Sequence, residues 1–132
     1  MKIDHIGIAV KALAEAARSY EENFGLKISS MDQVDEQGVR LAMLDIGESR
    51  LELLEPTRPD SPIGKFLSKR GEGLHHIAIQ VENLESVLTR LKRAGVRLID
   101  EQPRNGAHNT KVAFIHPSST HGVLMELVQH GE

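Results

Sequence analysis

The sequence predicts an α+β fold made of two β-α-β-β-β modules, and three observations carry that reading. First, the opening run Ile3-Asp4-His5-Ile6-Gly7-Ile8-Ala9-Val10 returns later as Leu74-His75-His76-Ile77-Ala78-Ile79-Gln80-Val81. Second, each copy is followed by a helical stripe that a glycine ends, Gly25 in one case and Gly95 in the other. Third, each half closes on a strand-like run with a carboxylate among aliphatic residues, Leu51-Glu52-Leu53 and Met125-Glu126-Leu127. One supersecondary unit present twice implies two copies packed together, since a solenoid needs more repeats.

The elements follow in order. Alternation in the first run places Ile6, Ile8 and Val10 on one face of a strand and His5, Gly7 and Ala9 on the other. Residues 13–23 read as a helix: Ala14, Ala16 and Ala17 favour it, and Leu13, Ala16, Ala17, Tyr20 and Phe24 form its apolar stripe. Residues 26–31 are a strand and 32–38 a polar turn. Residues 39–46 and 50–54 are two strands joined around Gly47-Glu48-Ser49.

A segment rich in proline and glycine comes next, with Pro56, Pro59 and Pro62 before, and Gly71 and Gly73 after, a short helical stretch at 63–70. The single domain of residues 1–132 thus divides into a module over 1–56, a linker over 57–73 and a second module over 74–132. In the latter, Asn83 is placed to cap a helix over 84–94, whose stripe is Leu84, Val87, Leu88 and Leu91. Strands are expected at 96–100, 111–115 and 123–128, with a glycine-bearing loop at 104–110. Leu13 corresponds to Leu84 and Ala42 to Ala113.

Composition narrows the function. The 132 residues suffice for one core but are few for two independent ones. There is no cysteine, which excludes disulfides and thiolate metal ligation and fits a reducing compartment. A net charge of -3 with 3% aromatic residues argues against a nucleic-acid partner. No apolar run is long enough to span a bilayer, and the strand pattern begins at once where a signal peptide would lie. The expectation is a cytoplasmic protein with no membrane partner.

Four polar residues recur in matching places: His5 and His76 in the first strands, Glu52 and Glu126 in the last. A carboxylate in such aliphatic surroundings is costly to bury unless it is paired or metal-bound. Two imidazoles with two carboxylates form a mixed nitrogen and oxygen set suited to Mn, Co, Ni, Fe or Zn. The expected metal ligands are therefore His5, Glu52, His76 and Glu126. His75 falls on the opposite strand face from His76 and takes a structural role. His116, His121 and His130 are expected in loops or the tail, solvated, and His108 lies in the glycine loop as a further candidate.

Paired modules with these His and Glu positions resemble the vicinal oxygen chelate superfamily, which includes glyoxalase I, extradiol dioxygenases and fosfomycin-resistance proteins. The resemblance is closer still to its methylmalonyl-CoA epimerase family. It spans Asp4-His5-Ile6-Gly7-Ile8-Ala9, Glu36-Gln37-Gly38-Val39, Glu52-Leu53-Leu54-Glu55-Pro56, Asp60-Ser61-Pro62-Ile63, Gly71-Glu72-Gly73-Leu74-His75-His76-Ile77-Ala78, His116-Pro117 and His121-Gly122-Val123-Leu124-Met125-Glu126-Leu127.

The resemblance implies one divalent metal per chain, cobalt or manganese, and interconversion of (2R)- and (2S)-methylmalonyl-CoA through an enolate, a step of propionate metabolism. It further implies an acyl-CoA substrate, a homodimer and Glu126 as one catalytic base. Bacterial relatives whose second base is a glutamate carry it three residues after the glycine of Glu-Gln-Gly-Val, where this chain has Leu41. Glu52 is the leading replacement, with Glu36, Asp45 or a water as alternatives. Lys65, Lys69, Arg70, Arg104 and Lys111 are candidates for the coenzyme A groups. The competing readings are a glyoxalase I-type lyase acting on a glutathione hemithioacetal and a non-catalytic binding protein of the same fold.

Overall fold

A computed structural model of the chain describes residues 1–131. It has the α+β architecture, with eight strands and three α-helices among those residues. They fall into two compact units, His5–His75 and Met1–Asp4 with the described residues from His76 on.

The first unit contains β1 (Lys2–Ala9, from His5 on), α1 (Leu13–Phe24), β2 (Lys27–Val34), β3 (Val39–Ile46), β4 (Ser49–Pro56) and α2 (Pro62–Arg70). Its strands run in the order β2-β3-β4-β1, with β1 parallel to β4 and the other pairs antiparallel. Leu13 and Ala17 of α1 bury against Val10, Ala42, Leu44 and Leu53. Each such leucine, taken fully from water, contributes about 1.5–3 kcal/mol.

The second unit contains β5 (Gly73–Gln80, from His76 on), α3 (Leu84–Arg93), β6 (Arg104–Gly106), β7 (Thr110–Ile115) and β8 (Met125–His130). The order β5-β8-β7-β6 repeats that of the first unit, again with one parallel pair, β5 and β8. Leu84 and Leu88 of α3 pack on Val81, Ala113, Ile115 and Leu127. Ala42 and Ala113 are both fully buried beneath their helices, as their correspondence in sequence requires.

The ends of the helices are held by side chains. Asn83 caps α3 by accepting the Ser86 amide over 3.0 Å, and Ser61 caps α2 by accepting that of Gly64 over 3.1 Å. Gly25 ends α1 in the left-handed region, φ 70°. Gly38 is also left-handed, φ 65°, and a Cβ there would come within 2.8 Å of the Arg58 guanidinium and Ser61.

Several expected boundaries are corrected. The strand at 26–31 continues through the expected turn to Val34, with a bulge between Ile28 and Ser30. A single turn of 3-10 helix, Asp35–Gln37, then leads to Gly38. The strand expected at 50–54 runs the full length of β4, to Pro56 opposite Val39.

No regular strand forms at 96–100; Leu98 alone makes a bridge, to Ile115. The Phe114 amide goes to the Asp100 carboxylate over 2.8 Å, and Glu101-Gln102-Pro103 loops out, since proline has no amide to give a ladder. Pairing resumes at β6, inside the segment expected as a loop. The last strand starts at Met125 because the Thr120 hydroxyl donates to the Val123 carbonyl and holds that residue in a turn.

Candidate active site

In the first unit, the alternation of β1 sends Ile8 and Val10 under α1 and leaves His5, Gly7 and Ala9 on the opposite face. Register places Glu52 of β4 between Gly7 on one side and Met43 of β3 on the other. His5 lies two residues along from Gly7, so its ring reaches Glu52 diagonally, Nε2 to Oε1 3.4 Å. Both side chains are buried, His5 at 5% and Glu52 at 7% exposure.

The second unit repeats the arrangement. Glu126 of β8 lies between Ala78 of β5 and Phe114 of β7. His76, two residues before Ala78, approaches it diagonally with Nε2 3.2 Å from Oε1. His76 and Glu126 are again 5% and 7% exposed. The edge of His76 also meets the Phe114 ring, centroids 5.7 Å apart at 80°. In both units a residue as small as Gly or Ala stands beside the carboxylate on the histidine's own strand.

Burying a carboxylate and an imidazole costs several kcal/mol unless each meets a partner. The two separations, 3.4 and 3.2 Å, exceed the roughly 2.7–2.9 Å of a charged N–H···O bond. They match neighbouring donors of one cation. Bonds of about 2.1 Å set two ligand atoms about 3.0 Å apart at a right angle and about 3.4 Å apart at the tetrahedral angle. The donor chemistry and spacing of each pair therefore fit a divalent ion.

Other expected residues separate by face. Leu41 is buried on the Glu52 side of β3, opposite Leu54, so the position read from the motif does face the site and offers it no charge. Arg104 pairs opposite Val112, on the face that carries Phe114 and Glu126. Lys111 alternates with Val112 and shares the parity of Ala113 and Ile115, which lie beneath α3; its ammonium donates to Asn105. Lys65, with Lys69 and Arg70, is exposed on α2. Glu36 is exposed in the turn after β2, and Asp45 is exposed near the end of β3.

The remaining histidines differ in their surroundings. His75 packs edge-on against Phe66 at 5.0 Å. Two of the three expected in solvent are engaged: His116 accepts the Ser118 amide over 3.0 Å, and His130, at the end of β8, hydrogen-bonds buried Asp4. His108 and His121 adopt left-handed backbone in turns.

Sequence reasoning missed Phe114, Met43 and Asp100. The first two were legible from strand pairing, being the residues opposite the two glutamates in the neighbouring strand. Asp100 left no such signal, because its carboxylate replaces a backbone group.

Comparison with known proteins follows the same lines. Residues 4–114 match the Glyoxalase/Bleomycin resistance protein/Dioxygenase superfamily. The chain is 38% identical over 129 residues to the mitochondrial methylmalonyl-CoA epimerase of Homo sapiens, covering 97% of this chain and 73% of that one. It is 35% identical over 130 residues to the ethylmalonyl-CoA/methylmalonyl-CoA epimerase of Cereibacter sphaeroides, covering 97% of each. A solved structure of a methylmalonyl-CoA epimerase in complex with methylmalonyl-CoA and NH4+ superposes with a TM-score of 0.93 at 41% identity, over 98% of this chain and 94% of that one.

Proposed function

Because the chain belongs to the methylmalonyl-CoA epimerase family of the glyoxalase/bleomycin resistance protein/dioxygenase superfamily, we propose that it interconverts (2R)- and (2S)-methylmalonyl-CoA. The observation that carries this is the duplicated, buried imidazole–carboxylate pair, His5 with Glu52 and His76 with Glu126. Each pair offers an imidazole nitrogen and a carboxylate oxygen to a divalent ion, cobalt or manganese. Their mixed nitrogen and oxygen donors suit such an ion, and the family resemblance implies the same set. A bound ion supplies Lewis-acid stabilisation for the charge that develops on the thioester oxygen.

The residues of the chain move the proton. The hydrogen at C2 lies between a thioester and a carboxylate, and its removal leaves a planar enolate. Inversion requires a base on each face of that plane. Glu126 is the base for one face. It lies beside Ala78, whose methyl group leaves the carboxylate approachable, and Phe114 walls its other side.

Glu52 is the base for the opposite face. Leu41 has no proton to exchange, while Glu36 and Asp45 are exposed. Of the four side chains considered for this role, Glu52 is the one that is both buried and ionisable. In each direction one carboxylate takes the C2 proton while the other, in its protonated form, returns one to the opposite face, and exchange of both with water resets them.

The test is incubation of metal-loaded protein with methylmalonyl-CoA in heavy water, followed by proton NMR. Deuterium should enter C2 as the epimers equilibrate, and chelation should stop both. Absence of exchange with every divalent metal tried overturns the reading. Turnover of a glutathione hemithioacetal in place of methylmalonyl-CoA would assign the lyase chemistry instead.

A further inference from the structure

Arg104 stands out among the charged groups of the second unit. Of the lysines and arginines in the strands from His76 onward, Arg104 and Lys111 are the two present, and Lys111 faces the α3 side. Arg104 is thus the cation that these strands set on the face of His76 and Glu126. Its guanidinium carbon lies 5.4 Å from the centroid of Phe114, whose ring in turn meets His76. Its Nε is 3.4 Å from the Asp100 carboxylate, and the same Asp100 oxygen accepts the Phe114 amide over 2.8 Å.

This triangle makes Arg104 a prepared cation. A free arginine loses about 2 kcal/mol of rotamer entropy when it is fixed, and here the ring and the carboxylate bias it toward one placement before a ligand arrives. The side chain nonetheless remains 46% exposed, so it is open to a ligand from solvent. A structural ion pair of that exposure contributes little to stability. A planar, fork-shaped donor held over an aromatic ring is suited instead to binding an oxyanion.

We propose that Arg104 recognises an oxyanion of the acyl-CoA substrate, and that Asp100 is its positioning residue. The inference rests on the epimerase reading, because that substrate carries oxyanions at both ends, a carboxylate on the acyl group and phosphates on the coenzyme.

Steady-state epimerisation by metal-loaded wild type, Arg104→Ala, Arg104→Lys and Asp100→Asn tests it, with circular dichroism to verify folding. Three substrates form the arms: methylmalonyl-CoA, its 3′-dephospho derivative and methylmalonyl-pantetheine. Loss of one charge-assisted contact should raise KM for methylmalonyl-CoA about tenfold to hundredfold in Arg104→Ala, with a smaller change in kcat and partial rescue in Arg104→Lys. Asp100→Asn retains an acceptor for the Phe114 amide and should show an intermediate rise.

If the penalty vanishes with pantetheine, a phosphate is the ligand; the dephospho substrate then distinguishes the 3′ group from the diphosphate. If the penalty persists with pantetheine, the ligand is the carboxylate. An unchanged KM for all three substrates in folded Arg104→Ala overturns the proposal while wild-type turnover leaves the epimerase reading standing. No turnover by wild type defeats that reading, and this one with it.

Discussion

The Gln129 side chain accepts the amide of Leu84, the first residue of α3, over 2.8 Å. The first unit has its counterpart, where Glu55 accepts the Leu13 amide at the start of α1 over 3.0 Å. Gln129 lies three residues after Glu126, and Glu55 three residues after Glu52. Each strand that presents a candidate base therefore also fastens the helix behind it. Ala12 makes no side-chain cap of its own, so the strand supplies what the flanking residue lacks. The N-terminal amides of a helix need such acceptors.

Replacing this acceptor should cost stability. Glu55→Ala removes the partner of the Leu13 amide and should lower unfolding stability by about 0.5–2 kcal/mol, the range for a lost helix cap. Glu55→Gln keeps an acceptor and should lie close to wild type. Urea midpoints check both; equal midpoints for Glu55→Ala and wild type would remove the cap from the account.

Glu126→Gln keeps the shape of the side chain but takes its basicity. General-base catalysis accounts for about 10²–10⁴ in rate, so kcat should fall by that order while metal content stays measurable. Loss of the C2 proton signal in heavy water reads the result directly. Turnover near wild type would exclude Glu126 as an obligatory base.

Glu52→Gln asks the same of the opposite face. An amide oxygen remains available to a metal, while proton transfer at that position is lost. Activity should fall by about 10²–10⁴, and adding Leu41→Glu to this variant should recover part of it. A Glu52→Gln protein with full activity would place the second base elsewhere.

Metal removal gives a readout besides turnover. An ion that binds the folded chain alone stabilises it by about 2.7 kcal/mol when present at a hundred times its Kd. The Tm should rise with added cobalt or manganese and fall on chelation, and His76→Ala should flatten the response. A Tm that ignores every divalent ion contradicts a resident metal.

Much of this was legible in the chain because duplication makes periodicity testable twice. Strand parity separated His76 from His75 and set His5 beside Gly7, as the structure confirms for each strand. Helix limits near Gly25 and Gly95 followed from their local chemistry. What escaped was non-local. Asp100 substitutes a carboxylate for a ladder carbonyl, Gln129 and Glu55 cap helices from distant strands, and His130 finds Asp4 at the other end of the chain. None of these contacts has a spacing that sequence alone could announce.

The looped-out Glu101-Gln102-Pro103 has a consequence for the behaviour of the chain in concentrated solution. It leaves β6 with three residues, so the outer edge of the second unit offers no long row of vacant amides to another polypeptide. The bulge between Ile28 and Ser30 interrupts the corresponding outer strand of the first unit. Both margins are blunted against runaway strand-by-strand polymerisation, each by a different irregularity.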